Sequence, residues 1–300
     1  MDSFTNDVHV PVLQEEVIKY LQLKADGIYV DATIGLGGHA RRILQTIGTQ
    51  GRVIGFEWDE QAADIAARRL REFGSRAAII QRSYAELAAG LREMNIGKID
   101  GLLLDLGVSS LQLDRGARGF SFQVDAPLDM RMDSRLRETA ADLVQRLSRE
   151  ELADIIYHYG EERQARRIAE FIVQAREKKK VETTGQLAGI VAAAIPRKFH
   201  PKTKHVATRT FQALRIAVNR EFDNLSEILA TAPSVLNTGA RICVITFHSL
   251  EDRIVKQSFA GNPELRAVTR RPVSPGVDEL ANNPRARSAK LRVAEKVEQI

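Results

Sequence analysis

The 300-residue chain has one cysteine, Cys243. A single thiol excludes an internal disulfide framework and any cysteine-rich zinc site. It suits a reducing, cytoplasmic setting. Long apolar runs are missing as well. The longest at helical spacing, Leu187 to Ile195, has nine residues and stops at Pro196, about half of what a bilayer span needs. No membrane partner is expected. The opening Met1-Asp2-Ser3-Phe4-Thr5-Asn6-Asp7 is polar and acidic, which speaks against a secretory signal. Twenty glycines and nine prolines are too few for a low-complexity or collagen-like chain. No His/Cys/Asp cluster has metal-ligand spacing, so no metal is expected.

What remains is an ordinary globular composition, 44% apolar and 28% charged, long enough for one large domain or two smaller ones. The net charge of +5 is modest, but it is segregated. Pro196 to Arg220 holds seven Lys/Arg and no Asp/Glu, with His200 and His205 among them. Such a stretch suits a polyanion surface. A solvated, loop-rich face gives the same pattern, and charge alone does not separate the two.

Apolar runs at Ile28–Thr33, Arg52–Glu57, Ala77–Ile80 and Ile99–Asp105 read as strands. A helix capped by Asp59, carrying Ala62, Ile65, Ala66, Arg69 and Leu70, fits between the second and third. Strands alternating with helices predict an α/β fold with a parallel sheet covered on both faces. From about Leu113 to Pro196 the strand signal disappears. Ser148-Arg149-Glu150-Glu151 is a capping-box pattern ahead of Leu152, Ile155, Ile156 and Tyr159, with Gly160 as a stop. Ala165, Ile168, Ala169, Ile172 and Val173 mark a second helix, and Thr183-Thr184-Gly185-Gln186 opens a third. Phe211, Leu214, Ile216 and Val218 mark an amphipathic helix where the alternating pattern returns. A strand follows at Ala240–Thr246 after a Gly239 turn, and Leu265–Arg271 with Ala289–Glu295 could form a closing antiparallel pair. The expected organisation is a core over 1–112 and 206–300, with an inserted helical substrate-recognition domain over 113–205.

Asp31-Ala32-Thr33-Ile34-Gly35-Leu36-Gly37-Gly38-His39 follows the first strand and opens a helix through Ala40, Ile43, Leu44 and Ile47. Glycines there allow a tight turn and close approach of a ligand to the backbone. Glu57, twenty residues after Gly37 at the end of the next strand, stands where a ribose diol is gripped. A dinucleotide loop remains an alternative, because Ala40 satisfies the last position of that fingerprint. Asp31, Glu57 and Asp105 at strand ends favour a cationic sulfonium-ammonium ligand over a pyrophosphate. S-adenosylmethionine is therefore the expected cofactor, with Ser83-Tyr84 and Asp105 where its adenine and ammonium would lie.

Seven segments together resemble one family: Val30–His39, Leu103–Asp114, Arg118–Phe122, Pro127–Met132, Ala207–Ile216, Thr246–Lys256 and Asn283–Ser288. They are similar, nearly end to end, to the bacterial small-subunit (16S) ribosomal RNA cytosine-N4 methyltransferases (RsmH, formerly MraW). The resemblance implies a class I, Rossmann-like methyltransferase sheet and S-adenosylmethionine as donor. It implies N4 methylation of a cytidine in the decoding region of small-subunit ribosomal RNA. Carried over by motif, the cofactor contacts would be Gly37, Gly38, His39, Glu57, Tyr84, Asp105 and Gln112. Glu57 stands where Asp is common and Tyr84 where Phe is common; both keep the needed chemistry.

The cytosine N4 lone pair is conjugated with the ring, so transfer needs an acceptor for the N4 hydrogens and in-line placement of the nitrogen. Asp105 is the candidate catalytic group, and a purely cofactor-binding role for it stays open. Methylation at C5 would need an exposed cysteine, whereas Cys243 reads as a small core residue. Arg118, Phe120 and Phe122 combine a guanidinium with aromatics, suited either to stacking on an unpaired base or to packing in the core. His248 could contact the target nucleotide, with a helix cap at Ser249 as the plainer reading. Arg197, Lys198, Lys202, Lys204, Arg209, Arg215, Arg285, Arg287 and Arg292 are candidates for RNA phosphates. A ribosome-assembly RNA-binding factor with a vestigial site and a nucleotide-dependent oxidoreductase are the competing readings. A homodimer is left open.

Overall fold

The structure is a computed structural model and describes residues 11–109, 112 and 118–298. The polar opening Met1–Asp7 and the motif residues Ser110, Leu111, Leu113 and Asp114 lie outside the described residues. The chain forms two compact units, one of Met1–Gly107 with Phe222–Ile300 and one of Val108–Glu221.

The first unit is built on β1 (Ile28–Asp31), β2 (Arg52–Phe56), β3 (Ala77–Ile80), β4 (Ile99–Asp105), β5 (Leu236–Thr246), β6 (Leu265–Ala267) and β7 (Lys290–Lys296). Their order is β3-β2-β1-β4-β5-β7-β6. The first five run parallel to their neighbours, and β7 is antiparallel to both β5 and β6. Alternate side chains of one strand point to opposite faces, and the core divides accordingly. Leu102, Leu104, Ile242 and Val244 belong to one apolar cluster, while Leu103, Cys243, Ile245 and Leu291 belong to another. A sheet apolar on both faces must be covered on both. Helices α1 (Gln14–Leu21), α2 (Gly38–Thr46), α3 (Glu60–Leu70), α4 (Leu87–Glu93), α10 (Glu221–Thr231) and α11 (Ser249–Gly261) accompany it. Asp59 caps α3, its side chain accepting from the Gln61 N–H. The order reverses between β1 and β4, and such switch points open a crevice at the carboxyl ends of the strands.

Two boundaries differ from the sequence reading. β5 starts at Leu236, not Ala240. Gly239 lies inside it at φ 81°, where the pairing with β4 shifts register. The closing antiparallel pair is present but short: Leu265–Ala267 pairs with Ala294–Lys296, and Val273 bridges to Leu291.

The second unit is helical: α5 (Ala140–Arg146), α6 (Arg149–Gly160), α7 (Ala165–Lys178), α8 (Thr184–Ala194) and α9 (Thr208–Asn219). Thr139, Ser148 and Thr183 each close a reciprocal capping box, which satisfies otherwise orphaned N–H groups at a helix start. Its core joins Leu143, Leu152, Ile156, Ile168, Ile172, Leu187 and Val191 to Phe211 and Leu214. Helix α9 thus belongs to the helical unit, which corrects the expected boundary at 205/206. Gly160 is the last helical residue, and Glu161 takes the left-handed turn at φ 50°. A Cβ on Gly160 would meet the Arg209 carbonyl at 2.6 Å, so its small size is needed for α6 to approach α9.

Candidate functional site

Backbone bonds lace the glycine loop to the ends of β1, β2 and β4. The Ala32 N–H donates to the Leu103 carbonyl at 2.8 Å and the Ile34 N–H to that of Phe56 at 3.1 Å. The Asp105 N–H donates to Thr33 Oγ1 at 2.6 Å. Gly37 sits at φ 82° as the residue before α2, a conformation that disfavours any side chain. Gly107, just past β4, has φ 107° and makes a similar turn possible after Asp105.

Three carboxylates gather at these strand ends, as expected, but two of them are buried. Asp31 is 1% exposed, and burial raises its pKa to about 6 against the pull of nearby His39. Glu57 is also buried, and burial raises it to about 7. Its Oε2 accepts from the Gly35 N–H at 3.0 Å and its Oε1 from the Asp59 N–H at 2.9 Å. The glycine loop and the β2 carboxylate are therefore one locked piece. Asp105 alone keeps part of its side chain exposed.

His39 stands between the acids. Its ring is 6% exposed, and Nε2 lies 3.6 Å from Asp105 Oδ2. Among the described residues, neither ring nitrogen has a hydrogen-bond partner, nor does Asp105 Oδ1. Buried polar atoms without partners are rare and carry a free-energy cost. A ligand carrying both donors and acceptors would relieve it, and S-adenosylmethionine has both. The donor set therefore fits that cofactor.

Tyr84 is buried after β3, with its ring centroid 5.8 Å from that of Trp58. Trp58 went unread in the sequence. Its position directly after Glu57, as the only tryptophan of the chain, was the available signal. Gln112 lies in the helical unit, where it exchanges hydrogen bonds with Ser109. Cys243 is fully buried and burial pushes its thiol up, so it is a core residue.

Several residues expected to face RNA are engaged inside the protein. Arg118 donates to the carbonyls of Arg131 and Met132 at 2.7 and 2.9 Å and lies over the Phe120 ring. Phe122 packs against His205 and Phe211 with centroids 4.6 and 4.7 Å away. Arg215 forms two bonds to Glu221, at 2.8 and 2.9 Å. Arg292 is 8% exposed and paired with Asp252. His248, not Ser249, caps α11. Its Nδ1 accepts from the Glu251 N–H, and Nε2 lies 3.0 Å from Glu251 Oε1, off the line of a hydrogen bond. Each of these side chains has a partner within the protein. Arg197, Lys198, Lys202, Lys204, Arg209, Arg285 and Arg287 are exposed, although Arg209 also donates to the Glu161 carbonyl.

A strand order of 3-2-1-4-5-7-6 with an antiparallel seventh strand, and a glycine loop after the first, defines a Rossmann-like class I methyltransferase. A family model described as the MraW methylase family matches residues 6–297. The chain belongs to that family. It is 54% identical over 290 residues to ribosomal RNA small subunit methyltransferase H of Desulfotalea psychrophila, covering 97% of this chain and 98% of that protein. The protein of the same name from Clostridioides difficile is 45% identical over 307 residues, covering 96% and 99%. The chain is thus a methyltransferase using S-adenosylmethionine, and the oxidoreductase reading falls away.

Proposed function

We propose that this enzyme methylates the N4 amino group of a cytidine in the decoding region of small-subunit ribosomal RNA. The observation that carries the reading is the His39–Asp105 contact at the switch point of the sheet, where both His39 ring nitrogens and Asp105 Oδ1 are buried with no hydrogen-bond partner among the described residues. It argues for a working site over a vestigial one, because a decayed site gains by replacing such atoms with apolar ones. The relatives' name points to the substrate.

S-adenosylmethionine, when bound, supplies an electrophilic methyl group on a sulfonium. Glu57 would accept from the ribose hydroxyls, Tyr84 would lie beside the adenine, and Gly37, Gly38 and His39 would complete the grip. Asp105 Oδ1 would hold an N4 hydrogen or the methionine ammonium, orienting the reacting partners. No covalent nucleophile is required, and the buried Cys243 is out of reach for C5 chemistry. Arg197, Lys198, Lys202, Lys204, Arg209, Arg285 and Arg287 would meet phosphates, fixing register without reading bases. The target cytidine must leave its stack to reach the methyl group.

The test is methyl transfer from labelled cofactor to small subunits purified from a strain lacking the enzyme, followed by nucleoside mass analysis. N4-methylcytidine is the expected product. Label in C5-methylcytidine, or none in RNA, would overturn the proposal.

A further inference from the structure

The basic stretch after α8 carries one feature that charge does not explain. Phe199 is 53% exposed. It ends a single 3-10 turn, Arg197–Phe199, which Pro196 opens. The Phe199 N–H donates to the Pro196 carbonyl at 2.8 Å, and the His200 N–H donates to that of Arg197 at 3.1 Å. His200 Nε2 also lies 2.9 Å from the Ile195 carbonyl, tying the turn to the end of α8. The aromatic ring is therefore held outward by local bonds. Exposure of a large ring costs solvation free energy of apolar surface.

Its neighbours define what it suits. Arg197, Lys198, Lys202 and Lys204 are exposed, and no acidic residue occurs from Pro196 to Arg220. Lys198 Nζ lies 5.0 Å from the ring centroid. A flat ring with one cation beside it and three more exposed cations within five residues along the chain matches the recognition of unpaired nucleotides, with bases stacked on the ring and phosphates on the cations. A protein surface carrying an apolar socket would gain little from four flanking cations. A duplex offers phosphates but no free base face.

We propose that Phe199 is a stacking platform for an unpaired base of the RNA substrate, flanked by phosphate contacts from Arg197, Lys198, Lys202 and Lys204. This rests on the proposed function, naming one subsite of the RNA surface.

The test is binding of a transcript of the decoding region to the full-length enzyme across a salt series. Phe199→Ala should weaken binding about tenfold at every salt concentration, leaving the salt slope unchanged, because stacking releases no counterions. Phe199→Trp should keep wild-type affinity, and Phe199→Leu should behave like the alanine variant. A fully paired RNA should bind all four proteins alike. Melting temperature and cofactor affinity should be unchanged throughout, since the side chain is exposed. Wild-type binding by Phe199→Ala, or rescue by Phe199→Leu, would overturn the inference. So would altered self-association of Phe199→Ala without altered RNA binding, which would assign the ring to a second copy. If the wild-type enzyme bound neither the transcript nor the small subunits, the proposed function itself would fall.

Discussion

Asp105 and His39 set two demands on one pair of side chains. The His39 ring nitrogens and Asp105 Oδ1 lack hydrogen-bond partners among the described residues, so the fold tolerates them at a cost that a ligand removes. Asp105→Asn should lower methyl transfer on the order of a hundredfold, as loss of a single electrostatic contact in a preorganised site does. Melting temperature should stay level or rise. A variant with normal transfer and normal cofactor affinity would remove Asp105 from the site. Glu57 makes a pH prediction. Burial holds its native pKa near 7, above its unfolded value, so its contribution to stability is fully present below the unfolded pKa. That contribution is lost as pH rises through about 7. Hydrogen bonds donated by a ribose favour the ionised form. Cofactor binding should therefore release protons near pH 7 and tighten from about pH 6 to about pH 8. Calorimetry of the demethylated product in buffers of different ionisation heat reads this directly. Glu57→Gln should flatten the profile; a wild-type profile already flat would place the ribose elsewhere.

Local elements were largely legible, because their signals are local. The capping boxes at Ser148 and Thr183 and the Asp59 cap are short patterns with short-range bonds. So were the strand runs ending in Asp31, Glu57 and Asp105. The glycine loop and its acids could be read for the same reason. Illegible features depend on partners far along the chain. Arg292 looks like a phosphate ligand until Asp252 is seen beside it, and Phe122 looks like a stacking residue until Phe211 covers it. Gly239 reads as a turn, yet β4 carries the strand through it with a register shift. Asn219 is a further case. Its side chain accepts from the Met132 N–H at 2.7 Å and donates to the Met130 carbonyl at 2.8 Å. These bonds hold Met130, fully buried at φ 63°. Asn219→Ala strands two buried backbone groups and should destabilise by roughly 2–4 kcal/mol, measured by urea unfolding. A loss below about 0.5 kcal/mol, the scale of surface changes, would show that the Met130 turn stands without it.

At the scale of the whole molecule, charge separates binding from architecture. The cations of 197–204 are exposed, while Arg215, Arg241 and Arg292 are tied to carboxylates. Replacing Lys202 and Lys204 together with Ala should lower the salt slope of RNA binding by about 1.4 to 1.8, one counterion term for each lost phosphate contact, at an unchanged melting temperature. Arg292→Ala should do the reverse, lowering the melting temperature with the slope intact. Equal slopes for the lysine pair and the wild type would remove that loop from the phosphate path. The sheet's strand order also has a consequence for biosynthesis. Residues 290–296 sit between β5 and β6, so neither neighbour completes its hydrogen-bond ladder until that last segment has left the ribosomal exit tunnel. Until then the nascent chain carries the bare flank of β5, a template for unwanted pairing. The helical unit has every residue it needs far earlier. Order along the chain therefore lets the helical unit close before the sheet, whose antiparallel strand β7 is synthesised after both of its neighbours.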